Sequence, residues 1–179
     1  GGKRLRPILT LMITDCFGGD VSKALDAALA IEVFHNFSLV HDDIMDNAPL
    51  RRSKKTVHEK WDLNTGILSG DAMLIMAYKL FESYDDNKFK KLSTLFSKTA
   101  LEVCEGQQYD IDFESRVDVS IGEYIKMIKY KTAVLVASAM QMGAIIADTS
   151  IENQEKCFKF GENLGIAFQL QDDYLDAFG

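Results

Sequence analysis

The chain has 179 residues, 47% hydrophobic and 26% charged, the balance of one folded globular domain rather than of a disordered or low-complexity protein. Its net charge of −7 argues against nonspecific nucleic-acid binding, and its apolar runs are too short and too interrupted to span a bilayer. Three widely spaced cysteines, Cys16, Cys104 and Cys157, show no CxxC pair and no metal-ligand spacing, so they read as free or buried thiols suited to a reducing cytoplasm. No secretory or transit signal opens the chain, which begins on Gly1-Gly2 and stops at Gly179. It reads as a single domain, 1–179, cut at both ends.

Pro7 suits the first position of a helix and disfavours helix at Arg6, so residues 1–6 should form a loop. Ile8, Leu9, Leu11 and Met12 then carry a helix that Gly18-Gly19 ends. Asp20 or Ser22 caps the next, which runs through Ala27, Ile31, Phe34 and Ile44 until Asn47 and Pro49 stop it. A polar, basic stretch follows at 51–55, and further helical patterns cover 64–84, 86–113, 120–147 and 151–178. No stretch alternates as a strand would. The fold class is therefore all-α, a bundle of helices longer than the globular mean.

Two clusters carry the chemistry. Asp42-Asp43-Ile44-Met45-Asp46 lies on a helix, where Asp46 is a neighbour of both Asp42 and Asp43. Three carboxylates that close repel one another unless a cation sits between them, and magnesium is the natural ion when a substrate supplies phosphate oxygens. The spacing returns at Asp172-Asp173-Tyr174-Leu175-Asp176 on another long helix. A lone DDxxD is most often a solvated helix face; two copies on separate helices reverse the odds. His35 lies two turns before Asp42 on the same face, and the amide of Gln169 can reach the site of Asp172 and Asp173. His41 and His58 have weaker claims and are expected in hydrogen-bonding roles.

With these motifs the sequence resembles the trans-prenyl (polyprenyl) diphosphate synthase family. The likeness rests on Gly1-Gly2-Lys3-Arg4-Leu5-Arg6-Pro7, on Ser38-Leu39-Val40-His41 leading into the first acidic motif, on Arg51-Arg52 after it, and on Phe168-Gln169-Leu170-Gln171 before the second. The resemblance implies a bundle of mostly antiparallel helices around a central active-site cavity. It also implies a homodimer that joins isopentenyl diphosphate to an allylic diphosphate, with three magnesium ions once substrate is bound and manganese as a substitute. By the same resemblance Asp42, Asp46 and Asp172 are direct metal ligands, with Asp43, Asp173 and Asp176 ligating or holding bound water. Lys3, Arg6, His35 and Arg52 bind isopentenyl diphosphate, while Arg51 and Lys131 bind the allylic partner. Thr132 and Gln169 lie near the allylic carbon. Released diphosphate is the proton acceptor, since no side chain looks like a dedicated base.

The resemblance also implies that Phe37 and Ser38, five and four positions before Asp42, form the floor under the growing product. A bulky Phe37 and the absence of a two-residue insertion in the motif fit products of fifteen to twenty carbons. At about 100° per residue, however, Ser38 sits under Asp42 and Phe37 swings to one side. One departure concerns the arginine loop: Ser53 and Lys55 stand where the family has a glycine and a proline, which implies a more mobile loop. The rival readings are a class I terpene cyclase and a non-catalytic subunit of a heteromeric synthase. A symmetric second DDxxD speaks against the first, and intact motifs against the second. A calcium-binding protein is disfavoured because the aspartates lie on helices.

Overall fold

The computed structural model describes residues 2–179, so Gly1 of the basic opening segment lies outside the described residues. Eight α-helices follow one another among them: α1 (Leu5–Cys16), α2 (Leu25–Met45), α3 (Val57–Lys60), α4 (Leu63–Lys79), α5 (Asp86–Glu114), α6 (Ile121–Ile128), α7 (Val134–Ile146) and α8 (Ile151–Phe178). Asp62, Asp85, Ser120 and Ser150 start α4, α5, α6 and α8 by accepting a backbone N–H of the first turn. Asp20 caps a short 3₁₀ turn that leads into α2. Among the described residues, no helix is long and apolar enough to cross a membrane.

α1 begins at Leu5, two residues before Pro7, so the expected loop over 1–6 is shorter than proline's local preference implies. Arg4, at φ 53°, turns the chain into the helix. Pro7 is tolerated as the third residue because first-turn N–H groups have no intrahelical partner in any case. Packing overrides the local bias. The Thr10 and Thr14 hydroxyls are fully buried and donate to the α7 carbonyls of Ala139 and Gly143, at 3.0 and 3.1 Å.

α2 ends in a Schellman motif: Asn47 is left-handed at φ 48°, its N–H donates to Ile44 O at 3.2 Å, and Ala48 N–H donates to Asp43 O at 2.9 Å. Asp46 is therefore the C-cap of α2 rather than an interior residue. A two-stranded ribbon, absent from the sequence expectation, pairs β1 (Leu50–Arg51) with β2 (Lys54–Lys55) in antiparallel register. Its turn residues Arg52 and Ser53 both have positive φ, 52° and 61°, the requirement of a type I′ turn without the usual glycine. The Thr56 hydroxyl closes the ribbon by donating to Ala48 O at 2.8 Å.

The expected helix over 120–147 is interrupted. Lys129–Ala133 form a widened π turn between α6 and α7. Gly106 of α5 presses on the backbone of Tyr130 and Lys131, and Gly165 of α8 on Ala133; a Cβ at either glycine would collide with that backbone. Beneath lies the core, where Phe96 of α5 meets Phe34, Phe81 and Tyr78 edge-on at 5.1, 5.1 and 4.8 Å.

Candidate active site

A cavity of about 290 Å³ runs between α2, α5 and the π turn. Phe37, Ser38, His41, Asp42 and Met45 line it from α2, at helical spacing, and Val103, Cys104, Gln107 and Ile111 do so from α5. Lys131, Thr132 and Leu135 complete the wall. Phe37 and Ser38 thus reach the same cavity as Asp42, although Phe37 is otherwise buried against Phe34 and the His41 ring. His41 Nε2 meets Ile67 O at 3.1 Å, the hydrogen-bonding role expected of it. The Nδ1 of His58 is buried without a hydrogen-bond partner.

In the first acidic motif the carboxylates divide. Asp43 is 4% exposed and accepts from Arg51 Nε at 2.6 Å, while Arg51 Nη2 reaches Asp42 at 3.3 Å. The ribbon thus delivers Arg51 onto the motif, and Asp43 turns inward instead of sharing an open face with Asp42 and Asp46. Lys131 hydrogen-bonds Asp110 of α5 and lies 3.7 Å from Asp42 Oδ1, an ion pair too long for a hydrogen bond. Nothing in the amphipathic pattern of α5 distinguished Asp110 from solvated charge; only the contact across helices does.

The second motif repeats the division with neutral partners. Asp173 accepts from Gln169 Nε2 at 2.8 Å and from the Tyr124 hydroxyl, and Thr132 donates to Gln169 Oε1 at 2.9 Å. Burial, followed by the bond to Asp173, pushes Tyr124 up to about 12. Tyr124, like Asp110, went unnoticed in the sequence. Among the described residues no ion pair reaches Asp172, Asp173 or Asp176.

A second cavity, of about 660 Å³, adjoins the first and shares Arg6, His35 and Thr132 with it. Lys3, Arg4 and Arg52 also line this one, making it strongly basic. Lys3 Nζ lies 5.6 Å from the Phe168 ring centre, and Arg4 pairs with Glu32. Arg6 Nη1 is 3.3 Å from His35 Nε2. A guanidinium only donates, so that ring nitrogen accepts and the imidazole is neutral. Burial, then the charges of Arg6, Arg52, Arg51 and Arg4, hold His35 down at about 3, and burial lowers Arg6 to about 10.

The residues fit metal ions of one kind. Among the described residues no three His, Cys, Asp or Glu side chains form a ready ligand set. Yet Asp42 Oδ1 is buried with no hydrogen-bond partner, and burial together with the Asp42 charge raises the pKa of Asp46. A hard cation that takes one or two carboxylates and completes its shell with substrate phosphate oxygens would relieve both.

The chain belongs to the polyprenyl synthetase family, whose model matches residues 1–179. It is 44% identical to a geranylgeranyl diphosphate synthase of Saccharolobus solfataricus, over all of this chain and 55% of that protein. It is 40% identical to one of Methanosarcina mazei, over 98% of this chain and 55% of that protein. A crystal structure of a geranylgeranyl pyrophosphate synthase superposes with a TM-score of 0.98 at 66% identity, covering 100% of this chain and 55% of that one. The chain spans about half the length of the curated relatives it matches.

Proposed function

We propose that this chain carries the catalytic site of a trans-prenyltransferase that condenses isopentenyl diphosphate with an allylic diphosphate, and that magnesium is its metal. One observation carries the reading: a mainly apolar cavity with Asp42 and Lys131 on its wall adjoins a strongly basic one, and Arg6, His35 and Thr132 border both. That arrangement suits two diphosphates held side by side, one of them attached to a growing hydrocarbon. The names of the relatives support the same chemistry.

In the proposed mechanism Asp42, Asp46 and Asp172 are the metal ligands, and the metal when bound supplies neutralisation of the charge on departing diphosphate. Arg51 and Lys131 orient the allylic diphosphate, whose carbon–oxygen bond breaks to leave an allylic cation. Lys3, Arg6, His35 and Arg52 hold the second diphosphate so that the isopentenyl double bond faces that carbon. The bond between Thr132 and Gln169 directs the hydroxyl proton away from the cavity, which leaves the Thr132 oxygen lone pairs to face the cation. A new carbon–carbon bond forms, and the proton lost in closing the double bond goes to released diphosphate.

Phe37 and Ser38 bound the hydrocarbon end, and a product of fifteen to twenty carbons is part of the proposal, the twenty-carbon one favoured by the relatives' names. A homodimer is also proposed. Exposed Leu68 and Ile75 on one face of α4, with Leu101 on α5, supply apolar surface for it. A cytoplasmic location agrees with three free cysteines.

The test is an assay with labelled isopentenyl diphosphate, magnesium, and five-, ten- and fifteen-carbon primers, run on the whole protein. Incorporation that needs the metal and disappears in Asp42→Ala supports the reading; none with any primer sinks it. Phe37→Ala should lengthen the products, and an unchanged product distribution would remove Phe37 from the floor.

A further inference from the structure

On the side of the π turn away from the cavity, a carboxylate is buried that the proposed chemistry does not use. The Glu162 side chain, on α8, is only 5% exposed. Desolvating a carboxylate costs several kcal/mol, roughly, unless cations or donors meet it. Two do here: Lys129 Nζ lies 2.7 Å from Oε1, and Lys159 engages Oε2. Lys159 stands three residues earlier on the same helix and compensates the charge locally. Lys129 is different, because it is the first residue of the π turn and belongs to another element. Burial pushes the Glu162 carboxyl up, but the hydrogen bonds from Lys129 and Lys159 outweigh it and leave the pKa lowered.

Two further α8 residues grip the same turn. Gly165 lies against Ala133, its last residue, with no room for a Cβ. Gln169 accepts from Thr132. Positions 162, 165 and 169 follow the i, i+3, i+7 rule, so one face of α8 holds the turn at its first, fourth and fifth residues. A π turn is rare and locally less favourable than continuous α-helix, so it persists where its surroundings impose it.

Taking Lys131 and Thr132 as allylic-site groups, we propose that the Glu162–Lys129 ion pair is a positioning device for the active site: it anchors the opening of the π turn so that Lys131 and Thr132 face the cavity. Glu162 touches no reacting atom and acts through the backbone it holds. The pair joins the turn's first residue to α8, while the Gly165–Ala133 approach and the Thr132–Gln169 hydrogen bond hold its far end. Losing it frees the end of the turn that Gln169 does not reach.

Two measurements on the whole protein test this. Amide hydrogen exchange should be about 10-fold faster or more over 129–133 in Glu162→Gln, with α5 and the Phe96 core unchanged. No change over 129–133, or acceleration spread through the bundle, overturns the proposal. In steady-state kinetics, Glu162→Gln and Lys129→Met should each lower kcat/KM for the allylic diphosphate by about 10- to 100-fold, with KM for isopentenyl diphosphate within about twofold of wild type. The double variant should be no worse than either single one, and Lys159→Met should match wild type. Equal losses in Lys159→Met and Lys129→Met, or a parallel rise in both KM values, would count against it. If wild type itself does not turn over, the functional reading fails, while the exchange experiment still decides whether the ion pair holds the turn.

Discussion

The two acidic motifs share a spacing but not an electrostatic setting. Around the first, Arg51 and Lys131 already stand against Asp42 and Asp43. Around the second, Asp173 is held by the neutral donors of Gln169 and Tyr124. In both, the second aspartate is hydrogen-bonded by the protein, to Arg51 in the first motif and to Gln169 and Tyr124 in the second. The lesson is one of division of labour. The second carboxylate is the one the protein holds, and among the described residues only the first motif has cations paired to it.

The largest effects should separate first from second aspartates. On the proposed mechanism, Asp42→Asn and Asp172→Asn should each lower kcat/KM by about 10²- to 10³-fold, because each would remove charge that faces the departing diphosphate. Asp173→Asn should cost only about 10-fold, since an amide oxygen still accepts from Tyr124. Magnesium titrations of the three variants would check this, and equal losses would break the comparison. Removing the engaged partners should come next. Arg51→Met leaves Asp43 buried without its cation and should reduce stability by about 1–3 kcal/mol in urea unfolding. Tyr124→Phe removes one neutral hydrogen bond and should cost about 1 kcal/mol. The reverse order would mean that Asp173, not Asp43, is the more tightly bound carboxylate.

The smallest effect concerns His35, beside the first motif, which should not titrate between pH 8 and 5 in an NMR experiment on the substrate-free protein. Its pKa lies near 3 against an ordinary 6.5, so the unfolded chain takes up that proton first. Its contribution to stability is therefore complete above pH 6.5 and is lost as pH falls towards 3. His35→Gln should flatten that acid limb, and an unchanged limb would remove His35 as its cause. A diphosphate bound against Arg6 and Arg52 would offset the surrounding positive charge and move the imidazole back upwards.

Much of this was legible before any coordinates. The α8 span over 151–178 and the α5 span over 86–113 follow from the helical pattern of the sequence, and both agree with the structure within a residue. Gly18-Gly19 and Asn47 were readable as helix stops because left-handed backbone is a property of single residues. Pro7 misled, because its local bias against helix at Arg6 is weaker than the packing of α1 on α7. The ribbon at 50–55 was hidden because its turn lacks the glycine that normally marks one.

By itself, then, the sequence determined an all-helical chain, two DDxxD carboxylate patterns and a basic opening segment, all of which rest on residues a few positions apart. Only the tertiary structure decided that Asp43 belongs to Arg51, that Asp110 holds Lys131, that Tyr124 holds Asp173, and that a π turn sits where one long helix was expected. Those facts depend on residues 8 to 49 positions apart, or on glycines that let backbones close in from other helices. Periodicity within a helix carries no signal of what lies across from it.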